Sequence, residues 1–139
     1  MKFKKIICTV FFAISLSNMG IAADNGAVLT KEESQVQTFM TALYTDNGYG
    51  SAKSSMADSL AEKINTQNFG ELQKQIQNKF GRYKSMKLVV LEKFDQGDRL
   101  TYMADYGANQ LVRIVITFGP NGKNGIQSFA FTRMQVDKK

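Results

Sequence analysis

The feature that most constrains this chain is a series of four strand-like segments joined by very short turns. Residues 86–94, 100–106, 110–118 and 125–134 are rich in β-branched and aromatic side chains, as strands are. Turn-forming residues separate them at positions 95–98, 107–109 and 119–125. A parallel crossover needs about a dozen residues or more, so neighbouring strands must run antiparallel. The sequence therefore predicts a four-stranded meander.

The preceding segment has the periodicity of helices. Residues 30–33 have the capping-box form, in which the Thr30 hydroxyl accepts from the Glu33 amide and the Glu33 carboxylate reaches back. Apolar side chains then recur at helical spacing: Val36, Phe39, Met40, Leu43 and Tyr44. We expect this first helix to end near residues 46–48.

Three further helices are predicted before the strands. Two short ones cover residues 50–56 and 60–64, and Thr66 is placed to cap a longer one that ends before Gly81. One face of the longer helix carries Phe69, Leu72, Ile76 and Phe80. The predicted class is α+β, with N-terminal helices packed on a curved antiparallel four-stranded meander sheet.

The N-terminus has the pattern of a secretory signal peptide. Lysines at positions 2, 4 and 5 precede an apolar stretch over residues 6–16, and small residues follow at 20–23. We expect cleavage after Ala22 or Ala23, export to the bacterial periplasm or beyond, and no stable membrane span afterwards. Residues 1–23 are the predicted signal, 24–29 a flexible lead and 30–139 a single domain.

Removal of that segment narrows the chemistry open to the chain. The net charge falls from +6 to +3 with the loss of three lysines, so bulk charge no longer favours nucleic-acid binding. Cys8 is the only cysteine and the chain has no histidine. Thiolate nucleophiles, Cys/His zinc sites and histidine-based catalysis are therefore excluded from the exported form. No cofactor or metal site is predicted.

Several short motifs carry a resemblance to a known family. Phe39-x-x-x-Leu43, Asn47-Gly48-Tyr49, residues 72–81 and Gly125-Ile126-x-x-Phe129 resemble exported bacterial members of the nuclear transport factor 2-like superfamily. The resemblance implies a cone-shaped α+β fold with a cavity between the helices and the concave sheet face. It also implies dimerisation through the outer sheet face, which is common in that superfamily. Its members include isomerases, cyclases, dehydratases and non-catalytic binding domains, so fold analogy selects no activity.

Glu92 is the carboxylate of most interest for such a cavity. It alternates with Met86, Leu88, Val90 and Phe94, which are apolar. If this set faces inward, Glu92 lies in an apolar lining that raises its pKa. The alternative is a twist or bulge near the strand end that carries it to solvent.

Tyrosines are the other candidates. Tyr102 and Tyr106 share one face of the second strand and either line a pocket or fill the core. Tyr44 and Tyr49 lie where the resemblance implies the cavity mouth. Asp105 is on the opposite face of its strand, where it either pairs with Arg113 or serves a catalytic role.

The outer sheet face is the candidate interface. Val89, Leu91 and Val115 have the parity opposite to the expected core side chains. Either a partner, such as a second copy of the chain, covers these residues, or local twist accounts for them.

Two classes of function remain open. The first is a non-catalytic binding domain, with a small apolar or aromatic ligand in the cone or a protein partner on the sheet. The ligand-binding candidates are Tyr44, Tyr49, Glu92, Tyr102 and Tyr106. The second is an isomerase- or cyclase-like enzyme that uses Glu92 or Asp105 with Tyr102.

Overall fold

Helices precede a single sheet in this protein. The computed structural model describes residues 22–120 and 125–134. Its helices are α1 (Ala22–Ala42), α2 (Tyr49–Ser55), α3 (Asp58–Lys63) and α4 (Thr66–Phe80), and its strands are β1 (Ser85–Phe94), β2 (Gly97–Asp105), β3 (Leu111–Phe118) and β4 (Ile126–Met134). The strands pair antiparallel in the order β1-β2-β3-β4. The predicted α+β class and meander are confirmed. Of the predicted signal over residues 1–23, residues 1–21 lie outside the described residues.

Helix α1 begins earlier than the sequence pattern indicates. It starts at Ala22, so residues 24–29 are helical and do not form a separate lead. The Thr30 hydroxyl donates to the Gly26 carbonyl at 2.9 Å, within the helix, and the expected capping box does not form. The predicted apolar stripe is correct: Val36, Phe39, Met40 and Leu43 are buried. No described helix is long and apolar enough to cross a membrane.

Helix α4 begins at Thr66 but is capped by the residue before it. Asn65 Oδ1 accepts from the Asn68 amide at 2.8 Å, and Asn68 Oδ1 accepts from the Asn65 amide at 3.3 Å. This reciprocal pair satisfies two amides at the helix start, so the Thr66 cap was misplaced by one residue. Gly81, with φ of 84°, ends the helix as expected.

Two local irregularities decide which residues of the first hairpin face the core. Its loop is only two residues, 95–96, which brings Gly97 and Asp98 into β2. Gly97 is required there because a Cβ would overlap the carbonyl oxygen of Phe118. In β1, Leu88 lies opposite Tyr102 and Val90 opposite Thr101, so Val89 is an extra, bulged residue. Beyond the bulge the side chains of β1 exchange faces.

The core lies between the helices and one face of the sheet. Its strand residues alternate, as period-two burial requires. Fully buried side chains at its centre include Phe39, Phe69, Leu100, Ile114, Ile116 and Phe118. Strand β4 forms one edge of the sheet, and a bridge from Met56 to Ile126 connects the α2–α3 junction to its start.

Candidate functional site: an aromatic groove

An apolar groove lies between α4 and β4. Leu72, Ile76 and Phe80 contribute from the helix, because residues four apart lie on one helical face. Phe129 and Phe131 contribute from the strand, because alternate residues lie on one face of a sheet. Its volume is about 200 Å³. We call this feature the aromatic groove.

The rings of the aromatic groove support one another. Phe80 and Phe131 stack with centroids 6.3 Å apart, and Phe129 meets Phe131 edge-on at 6.3 Å. Phe129 also contacts Phe39 in the core, at 4.9 Å. These separations lie in the range favoured for aromatic pairs. The wall is therefore anchored in the core while Phe129 and Phe131 remain only partly buried.

Cationic side chains border the aromatic groove. Arg133 Nη2 donates to the Lys79 carbonyl at 2.7 Å, near the end of α4. The Arg133 guanidinium lies 5.4 Å from the centre of the Phe80 ring, and Lys79 Nζ lies 5.6 Å from it. None of the residues lining the groove is acidic. The site can therefore offer aromatic faces beside positive charge.

Two of the predicted tyrosines meet beside this groove. Tyr44 Oη donates to the Gly81 carbonyl at 3.0 Å and lies 3.2 Å from Tyr106 Oη. The Tyr106 ring contacts Phe80 at 5.8 Å. Burial raises the pKa of Tyr44, and burial together with the Tyr44 hydrogen bond raises the pKa of Tyr106. Both phenols therefore remain neutral near neutral pH and act as packing and hydrogen-bonding groups.

The other two predicted tyrosines lie elsewhere. Tyr49 Oη donates to the Ile64 carbonyl at 2.7 Å, and its ring contacts Phe69. Tyr102 is buried on the inner face of β2, where burial, followed by the charges of Glu33 and Glu32, raises its pKa. The tyrosines thus do not converge on one cavity, and Tyr102 and Tyr106 both belong to the core.

Glu92 lies on the outer face of the sheet. The bulge at Val89 puts it opposite Arg99, whose Nε donates to Glu92 Oε1 at 2.6 Å. This hydrogen bond is the main reason that the pKa of Arg99 is raised. The inward placement of Glu92 was therefore wrong, and the alternative of a bulge is what the structure has.

Asp105 lies on the face of β2 opposite to Tyr102. It is exposed at the end of β2, and its Oδ1 accepts from the Gly107 amide at 2.8 Å, which shapes the turn. Arg113 lies opposite Met103, so the expected pairing of Asp105 with Arg113 is absent from the described register. The three side chains of the enzyme hypothesis, Glu92, Asp105 and Tyr102, do not form one cluster.

The predicted interface residues divide between the two faces. Val115 lies on the outer face, opposite Thr101 and Ala130. Leu91 lies opposite Leu100 and packs against the core, so its outward placement was wrong. Val89 is the bulged residue, and Val90 takes its place in the outer row.

Sequence reasoning missed the main residues of the aromatic groove. Phe129 was used only as part of the family motif, and Phe131 and Arg133 were assigned to a strand without a role. A signal was present, because Phe129, Phe131 and Arg133 share one parity on a terminal strand. Nothing in that pattern indicated that the neighbouring element would be the end of α4.

Within residues 22–120 and 125–134, no group of three or more His, Cys, Asp or Glu side chains is arranged to hold a metal ion.

No protein-family model, curated protein or solved structure matches the chain.

Proposed function

We propose that this chain is an exported, non-catalytic binding domain that holds a small apolar or aromatic ligand in the aromatic groove. The observation that carries the proposal is the partly exposed pair Phe129 and Phe131, beside Phe80 and without an acidic neighbour in the lining. Stacking on such rings favours flat apolar molecules. Export and membership of the nuclear transport factor 2-like superfamily belong to the same proposal, supported by the N-terminal pattern and the α+β meander.

The volume of the aromatic groove and the charges at its rim narrow the class of ligand that it can bind. The groove volume of about 200 Å³ is below the roughly 300–1,000 Å³ of sites for drug-sized molecules. A single-ring or two-ring compound therefore fits better than a steroid or polyketide. Lys79 lines the groove and Arg133 lies over the Phe80 ring, so both positive charges favour a carboxylate on the bound ring.

The outer sheet face is a second candidate binding surface, for a second copy of the chain. One register row runs across all four strands as Val90, Thr101, Val115 and Ala130. The next row, Glu92, Arg99, Thr117 and Ser128, is polar. In the first row Val90 and Thr101 are buried, Val115 is half-buried and Ala130 is exposed, so Val115 and Ala130 are the apolar side chains open to a second copy, with a polar row beside them. Sedimentation at micromolar concentration tests this: Val115→Lys should dissociate a dimer and Thr117→Lys should not, whereas a monomeric wild type contradicts it.

The enzyme hypothesis has less support from the geometry. Tyr102 faces the core, while Glu92 and Asp105 lie on the other side of β2 and its partner strand. General acid–base catalysis requires its groups within hydrogen-bonding reach of one substrate. If the protein turns over a substrate and this activity is lost in Glu92→Gln or Asp105→Asn, the enzyme hypothesis would be supported instead.

Calorimetry with naphthoate tests the ligand proposal. Gln75 lines the aromatic groove and is exposed on α4, so Gln75→Trp should fill the groove without disturbing the core. Asn78→Trp is the matched control, because Asn78 is exposed on the same helix outside the lining. We expect naphthoate to bind the wild type and Asn78→Trp, and binding to Gln75→Trp to be lost. Equal binding to all three proteins would contradict the proposal.

A further inference from the structure

A buried carboxyl group lies far from the aromatic groove. Glu32 is on α1, one turn before Val36, and its side chain is 0% exposed. Neither of its carboxylate oxygens has a hydrogen-bond partner among the described residues. An ionised carboxylate buried in this way is strongly disfavoured, because it has lost water and gained no donor.

The groups that face Glu32 come from the first hairpin. Asp98, on the inner face of β2, is near enough to share a proton with the Glu32 carboxyl and is 3% exposed. Lys93 lies opposite Asp98 in the register, and its Nζ donates to Asp98 Oδ2 at 2.7 Å. Among the described residues, Lys93 is the cation that acts on Glu32, and it is already engaged by Asp98.

Other titratable groups around Glu32 do not supply that charge. Tyr102 faces it from β2, and Glu33 follows it on α1. The inward side chains of β3 are apolar: Val112, Ile114, Ile116 and Phe118. Lys93 is thus the cation that acts on Glu32 from the described strands.

A proton resolves the conflict between the two carboxylates. Protonated Glu32 can donate its O–H to the Asp98 carboxylate, so that each of the two side chains gains one hydrogen bond. Burial raises the pKa of Glu32 to about 8, with the hydrogen bond to Asp98 and the charge of Asp98 acting in the same direction and Lys93 opposing them. Burial and the neighbouring Asp98 carboxylate therefore both favour the protonated form of Glu32.

We propose that Glu32 and Asp98 form a one-proton site that fastens α1 to the β1–β2 hairpin when protonated and weakens that contact when the proton leaves. The site is a pH-sensitive device independent of the aromatic groove. Loss of the proton places two negative charges beside one lysine in the core, which favours separation of the helix from the hairpin.

The direction of the pH effect follows from proton binding. Between the ordinary glutamate value of 4.5 and about 8, folded Glu32 keeps a proton that the unfolded chain has released. The stability that this proton confers is complete below the lower value, falls as the pH rises through the interval and is lost once the pH has passed the upper value. The unfolding equilibrium constant should rise by up to about tenfold per pH unit in this interval.

Urea unfolding as a function of pH provides the first test. In Glu32→Gln the amide replaces the protonated acid and still donates to Asp98, so the rise across this interval should disappear. Glu33→Gln is the matched control, because Glu33 is the adjacent, exposed glutamate and should follow the wild type. Parallel pH profiles for wild type and Glu32→Gln would overturn the proposal.

Carboxyl-carbon NMR of Glu32 provides a second test that does not depend on a variant that folds. We expect a titration midpoint near 8 in the wild type. Asp98→Asn should lower that midpoint and Lys93→Gln should raise it, because they remove the opposing influences of a negative and a positive charge. A wild-type midpoint at the ordinary glutamate value would overturn the proposal.

Discussion

Arg99 Nε donates a 2.6 Å hydrogen bond to Glu92 Oε1 across the β1–β2 pair, on the face of the sheet opposite the core. The contact exists because the bulge at Val89 shifts the register by one residue. It lies at the surface, since the Arg99 side chain is 43% exposed. An ion pair in this setting contributes little to stability because water and salt screen it.

Glu92→Gln should therefore have a small effect. We expect the free energy of unfolding to fall by at most about 1 kcal/mol, as measured by urea titration. Glu62→Gln, at an exposed helical position, is the control for a general change in charge. Naphthoate binding should not change in Glu92→Gln. A large loss of binding would show that Glu92 does take part in the ligand site.

Gly125→Ala should destabilise the junction between the helices and β4. Gly125 has φ of 75°, and a Cβ there would lie 2.8 Å from the Ser55 carbonyl oxygen, where Met56 bridges to Ile126. We expect a loss of roughly 1–3 kcal/mol in the free energy of unfolding. Gly70→Ala is the contrasting control.

Gly70 is inside α4, and a methyl group added there would have no neighbour within 4 Å, so alanine should stabilise the helix by up to about 1 kcal/mol. Opposite signs for the two glycine variants are the expected outcome. Equal, small effects would contradict the close approach at Gly125.

Tyr44→Phe should weaken the contact between the segment that follows α1 and the end of α4. The variant removes the donor to the Gly81 carbonyl and the partner of the Tyr106 hydroxyl. The expected cost is roughly 1 kcal/mol, because the ring and its packing are retained. Tyr83→Phe is a suitable comparison, since the Tyr83 ring packs at a tilt against both of these tyrosine rings without a described hydroxyl bond. A larger loss in Tyr83→Phe would contradict this assignment.

Arg133→Gln should change ligand preference. Its guanidinium lies over Phe80 at the rim of the aromatic groove, so its loss should weaken benzoate binding by roughly three- to fivefold. Binding of neutral benzyl alcohol should change less. Arg113→Gln, on the outer sheet face, is the charge-matched control. Equal losses for the charged and neutral compounds would show that Arg133 acts through the structure of the groove only.

Much of the fold could be predicted because its signals are local. The apolar stripe from Val36 to Leu43 and the alternation in β2 and β3 each reflect one periodicity, and the short turns leave only antiparallel neighbours. The start of α1 was missed because Thr30 and Glu33 form a capping pattern that the helix extends past. Local propensity is a weak guide where a helix can continue in either direction.

The faces of β1 could not be predicted by alternation. One extra residue at Val89 moves every later side chain of β1 to the opposite face of the sheet. Glu92 therefore faces outward, and Leu91 and Lys93 face inward. The two-residue loop at 95–96 likewise converts Asp98 from an expected turn residue into an inward strand residue. Glu32 did have a signal, since it lies four residues before Val36 on the apolar face of α1.

NMR titration of isotope-labelled protein with benzoate tests the central claim most directly. We predict that saturable chemical-shift changes will be confined to the aromatic groove, in Leu72–Phe80 of α4 and Phe129–Arg133 of β4, and that Gln75→Trp will abolish them. Changes centred on the β1–β2 hairpin or the outer sheet face, or no changes at millimolar benzoate, would contradict the claim.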